Sequence, residues 1–439
     1  MRNIIFLLLF LLVACQQNKD QSFEAENKPS GPLPHVIDLE KGLENNGAVF
    51  KLSDIADSIK FVRLEKTEES LFRKVLDVEV HGDNMFFLSF YGQKKSYVFR
   101  YNLNGEFINS IGKVGRGPAE YRACDYAIDY DRREILVLDW FKTKKILIYD
   151  YKGIFKGEHK LGRAESSQNI TAIPGSRIVV YNNFTAPRSD HKEGSAIYEL
   201  FDSTGTRLSV VLNPILQIPF DSKFDGEFQL NYDHHNDGAY RSGNEAYLYS
   251  RWGDTIYYTD GTEIKPAFVL YKGVYSAPLI ERYRTPYKDD KPYLGEYMAV
   301  GVFITKRHVY LEQNLKEMKV VFEYDRVSGE VRSSQVESSG RHRVGYLEYE
   351  ESPWFIDDLS GSGAGIRVNN RTGRNGSVLA LDYNLDYFKD QFGIDGVKED
   401  VDYEPEMLKA RMNLLNSLQE DDNPVIVLVY LKDELKFEF

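Results

Sequence analysis

The chain has 439 residues, 42% of them hydrophobic and 13% aromatic, with a formal net charge of −12. That is apolar material for one large core, which excludes a disordered or fibrous chain. Acidic and basic residues are interspersed without a basic stripe, so nucleic acid is excluded as a partner.

Residues 1–14 read as a signal peptide. Arg2 supplies the positive start, and 4–13 is an apolar run too short to span a bilayer comfortably. The segment ends Leu12-Val13-Ala14-Cys15, which resembles a bacterial lipobox. The resemblance implies that Cys15 is acylated and that the protein is an outer-membrane-anchored lipoprotein, touching the membrane through its lipid only. Gln17-Asn-Lys-Asp20 is similar to a short acidic export signal, which leaves the periplasmic face and the cell surface as alternatives. Residues 15–49 read as a flexible tether, and 50–439 as the folded domain. With Cys15 acylated, Cys124 is the remaining thiol and no intrachain disulfide can form. Its place in an alternating apolar run makes it a buried, inert side chain.

The folded part begins with an isolated strand at 57–65, and then a pattern repeats. Strand, loop, strand, glycine turn and edge strand make one four-stranded sheet, seen most clearly at 134–161. The turn recurs as Tyr101-Asn-Leu-Asn-Gly105, Tyr149-Asp-Tyr-Lys-Gly153 and Phe201-Asp-Ser-Thr-Gly205. Looser copies end at Gly261 and Gly329, so the glycine spacing grows from 48 to 68 residues. A strand-only period near fifty is the signature of a β-propeller.

The blades are expected at 75–112, 124–161, 168–212, 238–270 and 298–336. The sixth offers 354–359 and 377–383, then a helix candidate at 404–419, then 425–431. It lacks a fourth strand, whereas the chain starts with a spare one. Closure by exchange, 59–65 against 425–431, removes the open edges. The expected fold is all-β: a six-bladed propeller of four-stranded antiparallel blades, closed by an N-terminal strand, with a small helical insertion in the last blade.

Two stretches, Ile111-Gly-Lys-Val-Gly-Arg-Gly-Pro-Ala-Glu-Tyr121 and Gly253-Asp-Thr-Ile-Tyr257, resemble hallmarks of the six-bladed β-propeller lipoproteins of Gram-negative gut bacteria, themselves similar to NHL-repeat propellers. The family pattern reads Gly-x-Gly-Pro-Gly-Glu-Tyr, and here Ala119 stands in place of its third glycine. The resemblance covers roughly residues 50–439. It implies the fold and says little about activity.

In such a ring the d–a and b–c loops share one face, and the a–b and c–d turns share the other. Loops 90–95, 112–122, 140–145, 183–195, 251–253, 271–297 and 384–424 all fall on the first, where a rigid scaffold places binding. Arg116, Tyr121, Trp140 and Trp252 combine planar or aromatic surface with a hydrogen-bonding group and are the candidate contacts. The glycine-rich loop 112–117 lacks the helix and the Lys-Ser/Thr ending of a phosphate cradle. His234 and His235 would point to opposite faces of a strand, and Asp357 and Asp358 read as capping acids. No catalytic residue, metal ligand or cofactor motif emerges. The expected function is a cell-envelope binding or scaffold module for a protein, peptide or glycan. The alternative is a glycan-active lyase or hydrolase working in the central channel.

Overall fold

The repeated turn is built the same way each time. Asn102 Oδ1 accepts from the amides of Asn104 (2.9 Å) and Glu106 (3.0 Å), and Asp150 Oδ1 from Lys152 and Ile154 (both 2.9 Å). Asp202 Oδ1 takes Thr204 (2.8 Å) and Thr206 (2.9 Å), while Asp325 Oδ1 takes Val327 (2.8 Å) and Ser328 (3.2 Å). A short polar side chain that satisfies two local amides reverses the chain without a ladder. Gly105 then adopts φ +86°, and a Cβ there would lie 2.1 Å from Arg63 O of the preceding blade. Turn chemistry and blade packing therefore both demand the glycine.

The computed structural model describes residues 34–432 except 73, 92–94, 140–144, 162–168, 182–195, 213–227, 231–237, 243–244, 251–252, 277–283, 287–298, 316–317, 336–340, 345–346, 351–353, 367, 369–372, 375–377 and 394–404. Within these residues the chain forms a six-bladed β-propeller. Blade one runs Lys74–His81, Asn84–Tyr91, Lys95–Asn102 and Phe107–Ile111, strands a to d from the axis outward. Blade two is Ala123–Asp129, Glu134–Asp139, Lys145–Asp150 and Phe155–Lys160. Blade three is Asn169–Ile173, Arg177–Tyr181, Ala196–Phe201 and Arg207–Leu212. Blade four is Gly238–Ser242, Glu245–Tyr249, Thr255–Thr259 and Ile264–Tyr271, and blade five is Ala299–Ile304, His308–Leu315, Met318–Asp325 and Val331–Gln335.

Blade six is closed from both chain ends, as expected. Its strands are Gly373–Arg374, Val378–Tyr383 and Val425–Leu431, with Ala56–Arg63 as the fourth. Ala56–Arg63 pairs antiparallel with Val425–Leu431, from Arg63 opposite Val425 to Ala56 opposite Leu431. One expectation fails here: residues 354–359 are not strand a. Phe355–Ile356 instead pairs with Gly365–Ile366 in a separate hairpin, and Trp354 is buried with its Nε1 donating to Glu312 Oε2 of blade five (2.8 Å). The apolar run looks like a strand of the ring because it packs against the ring's core.

The tether also ends earlier than expected, because residues 35–49 carry structure. His35–Asp38 adds to blade four as a fifth strand, parallel to Ile264–Tyr271. Asp38 then caps the helix Leu39–Glu44, accepting from Lys41 N at 2.9 Å. The chain next runs along blade five, where Ser333 N donates to Asn45 O (3.0 Å) and Ala48 N to Ser333 O (3.1 Å). Composition alone hides this belt, since only Ile37, Leu39 and Phe50 are buried large apolar residues in it.

The core lies between blades. One apolar cluster joins blades six and one around Phe72, Val75 and Leu428, and further clusters join one to two, two to three and three to four. Blades four, five and six share a single continuous cluster, because the belt contributes to it. The helix Leu385–Phe392 covers the closure strand, with Phe61 edge-on to Phe388 (5.6 Å) and Phe392 (5.3 Å). The helix candidate forms as Pro405–Ser417, and its partly buried Met407, Leu414 and Leu415 pack on the same cluster rather than standing free.

Candidate functional site

Strand order puts every d–a and b–c connection on one side of the ring. The correction to blade six enlarges that side, because residues 336–372 now form a d–a insertion carrying two hairpins, Arg341–Val344 with Leu347–Glu350 and Phe355–Ile356 with Gly365–Ile366. Asp357 and Asp358 in it are structural acids. Asp357 Oδ1 accepts from Leu359 N (3.1 Å) and Ser360 N (3.0 Å), and Asp358 Oδ1 from Ser53 N (2.9 Å).

The 112–122 loop is the loop of this side described throughout. Lys113–Val114 pairs parallel with Glu120–Tyr121, and Gly115 N donates to Tyr121 O at 2.9 Å. Glu120 turns its carboxylate onto Gly117 N (2.9 Å). A Cβ on Gly115 would meet that carboxylate at 2.0 Å, so the glycine makes room for it. Arg116 is exposed at the tip. Tyr121 is not a surface residue, contrary to expectation. It is wholly buried, its hydroxyl donating to Ile111 O and accepting from Val98 N (3.2 Å), and burial pushes the phenol pKa up. It ties the loop to blade one. Trp140, Trp252, His234 and His235 lie outside the described residues, as does Cys15; the side chain of Cys124 does too.

The opposite end of the axis holds a polar cluster that sequence reasoning missed. Arg241, on strand a of blade four, donates to Ile128 O of blade two (3.2 Å), and its guanidinium carbon lies 3.9 Å from the Tyr130 ring centroid. Blades two and four are not neighbours, so this contact reaches past the inner end of blade three. Tyr130 also stacks on His81 of blade one, with centroids 4.4 Å apart, and donates its hydroxyl to Glu79 Oε1 (2.6 Å). His81 Nδ1 meets Tyr151 Oη at 2.6 Å. Burial, then the Arg133 and Arg241 charges, lower the His81 pKa, so the ring is neutral near pH 7. Burial and then Glu79 hold the Tyr130 phenol well above its usual range. These contacts gather side chains of blades one, two and four at this end of the ring, without a nucleophile or a pair of free carboxylates among them. The available signal was residue type: His81, Tyr130 and Arg241 stand at or within one residue of the ends of strands a of blades one, two and four. Period-two patterning does not say which strand ends meet.

Among the described residues no group of three or more His, Cys, Asp or Glu side chains is placed to hold a metal. The model of the family called Domain of unknown function (DUF4934) matches residues 34–430. The chain belongs to the DUF4934 family. The family match starts where the described chain starts, so the belt falls within it. No curated protein matches. Among solved structures, a Bacteroides fragilis protein described as exported is similar at 17% identity and a TM-score of 0.60, covering 91% of this chain and 100% of its own. A Bacteroides vulgatus member of the duf4221 family is similar at 12% identity and a TM-score of 0.44, covering 86% and 97%. At these identities the likeness to the exported protein concerns the DUF4934 fold alone.

Proposed function

We propose that this DUF4934 protein is a lipid-anchored envelope module that binds a protein, peptide or glycan on its loop-bearing face. The observation that carries the reading is the asymmetry of the ring. The long connections leave on the d–a/b–c side, while the a–b end of the axis gathers Arg241, Tyr130, His81 and Glu79 in contact with one another. A ligand of any size therefore has one elaborated side to meet. Cys15 is the acylated residue, in line with the Leu-Val-Ala-Cys ending and with the exported description of the Bacteroides fragilis relative. On this reading the lipid holds the protein at the outer membrane, and the resemblance to NHL-like lipoproteins supports the same setting. Arg116 is the described contact residue, and Trp140 and Trp252 complete the candidate set. The channel-enzyme alternative gains no support, because the convergent groups described at that end include no nucleophile and no pair of free carboxylates.

The test is a binding screen of the detergent-solubilised protein against glycan and peptide arrays, repeated with Arg116, Trp140 and Trp252 changed to Ala. The expected result is a ligand lost in the triple variant at an unchanged melting temperature. Retained binding by the triple variant would move the site elsewhere.

A further inference from the structure

The a–b end of the axis has an unusual turn. Three a–b turns place a residue in the left-handed region: blade one uses Gly82 (φ +55°), blade three Gly175 (+77°) and Ser176 (+58°), and blade two Arg133 (+55°). That conformation costs a non-glycine residue roughly 1–2 kcal/mol, and strain of this kind persists where the position serves a purpose. What the backbone achieves is placement. The Arg133 guanidinium carbon lies 5.4 Å from the Tyr151 ring centroid, with the side chain exposed.

The neighbouring cations are engaged. Arg100, 5.6 Å from the same ring, donates to Asn84 Oδ1 (2.8 Å) and Tyr151 O (3.1 Å), and Arg241 to Ile128 O. The nearby carboxylates are engaged too: Glu79 accepts from Tyr130 Oη, and Asp129 from Arg132 N (3.1 Å). Arg133 itself has no hydrogen bond or ion pair among the described residues. His81 also lies within reach, its ring centroid 5.9 Å from that of Tyr151. In the tautomer in which Tyr151 Oη donates to Nδ1, the imidazole carries its proton on Nε2. Of these groups the Arg133 guanidinium and, in that tautomer, the His81 Nε2–H are left to donate.

We propose that this mouth binds a small oxyanion, a carboxylate or sulfate group of the kind an acidic sugar carries, with Arg133 as the principal contact and His81 Nε2 as a second donor. The guanidinium fork suits two oxygens of one such group, and the tyrosine beneath holds it in place. The site is separate from the loop-bearing face and lies at the other end of the axis.

Calorimetric titration of the detergent-solubilised full chain tests this, with sodium glucuronate, sodium sulfate and neutral glucose at constant ionic strength. Saturable binding of glucuronate, sulfate or both is expected, with none for glucose; which anion responds tells carboxylate from sulfate. Arg133→Gly removes the cation and relieves the backbone at once. It should weaken binding by about ten-fold or more while leaving the melting temperature equal or higher. Arg133→Lys, which keeps the charge without the fork, should fall between. Absence of saturable binding by either anion, or wild-type affinity in Arg133→Gly, would overturn the proposal.

Discussion

Changing Asn423 to Ala should open the ring at its seam. The side chain is fully buried between the C-terminal strand and the loop that follows the closure strand. Its Nδ2 donates to Glu65 O and Ser70 O, both at 2.9 Å, and its Oδ1 accepts from Phe72 N at 3.3 Å. Glu65 O keeps a second donor in Tyr101 Oη (3.0 Å), so the substitution strands two groups, Ser70 O and Phe72 N. Each stranded buried group costs about 1–3 kcal/mol, which makes the loss roughly 2–6 kcal/mol. Against a total of about 5–15 kcal/mol that is a large fraction. Asn423→Asp, nearly the same shape, should be at least as damaging, because its carboxylate would face two carbonyls. Asp421→Ala, two residues away, removes only the exposed pairing with Lys66 and should have no measurable effect. Urea unfolding followed by circular dichroism reads all three. A midpoint for Asn423→Ala indistinguishable from wild type would refute the claim that this residue locks the seam.

Further outcomes follow from the same structure. Gly105→Ala, whose Cβ would sit 2.1 Å from a backbone oxygen, should lower the melting temperature much more than Gly329→Ala, which meets nothing within 4 Å; equal losses would mean that blade packing is not what selects the glycine. Tyr121→Phe should cost about 1–3 kcal/mol of stability and leave ligand binding intact, as measured on the binding screen. His35, His81, His159 and His308 all have pKa values lowered chiefly by burial. The unfolded chain therefore takes up protons first, so stability is full above about pH 6.5 and declines as the pH falls below it. Asp202 and Asp260, held low by the Thr204 and Thr262 hydroxyls, add a second decline below about pH 4; a midpoint flat from pH 7 to 4 would contradict the first decline, and one flat below pH 4 the second. Mass spectrometry of the mature N-terminus should find a lipid on Cys15, and an unmodified start elsewhere would remove the anchor from the account.

The fold was legible because the turn is local chemistry. An Asx residue, its neighbours and a glycine specify the c–d corner without help from the rest of the chain, and five copies count most of the blades. Closure was legible because one strand was spare and one was missing. Strand a of blade six was not, since Gly373–Arg374 is too short to leave a pattern and the stronger run at 354–359 belongs to an insertion. The belt escaped because a strand that adds parallel to an outer edge needs few apolar residues. The site was legible only in part. Arg116 is at the surface, whereas Tyr121, chosen on the same ground of a planar surface with a hydrogen-bonding group, is interior. A tyrosine at the end of a glycine loop suits either role, and only the position of Ile111 O and Val98 N decides between them. The axial cluster joins residues from blades one, two and four, a proximity created by ring closure and absent from any sequence window.

The claim that the loop-bearing face is the working face is tested most directly by site-specific photo-crosslinking in cells. One variant carries the photoreactive residue at position 116, on the d–a loop, and another at position 152, on a c–d turn of the opposite face; both positions are exposed. A discrete adduct from position 116 and none from position 152 is the expected result. An adduct from position 152 with none from position 116 would contradict the account.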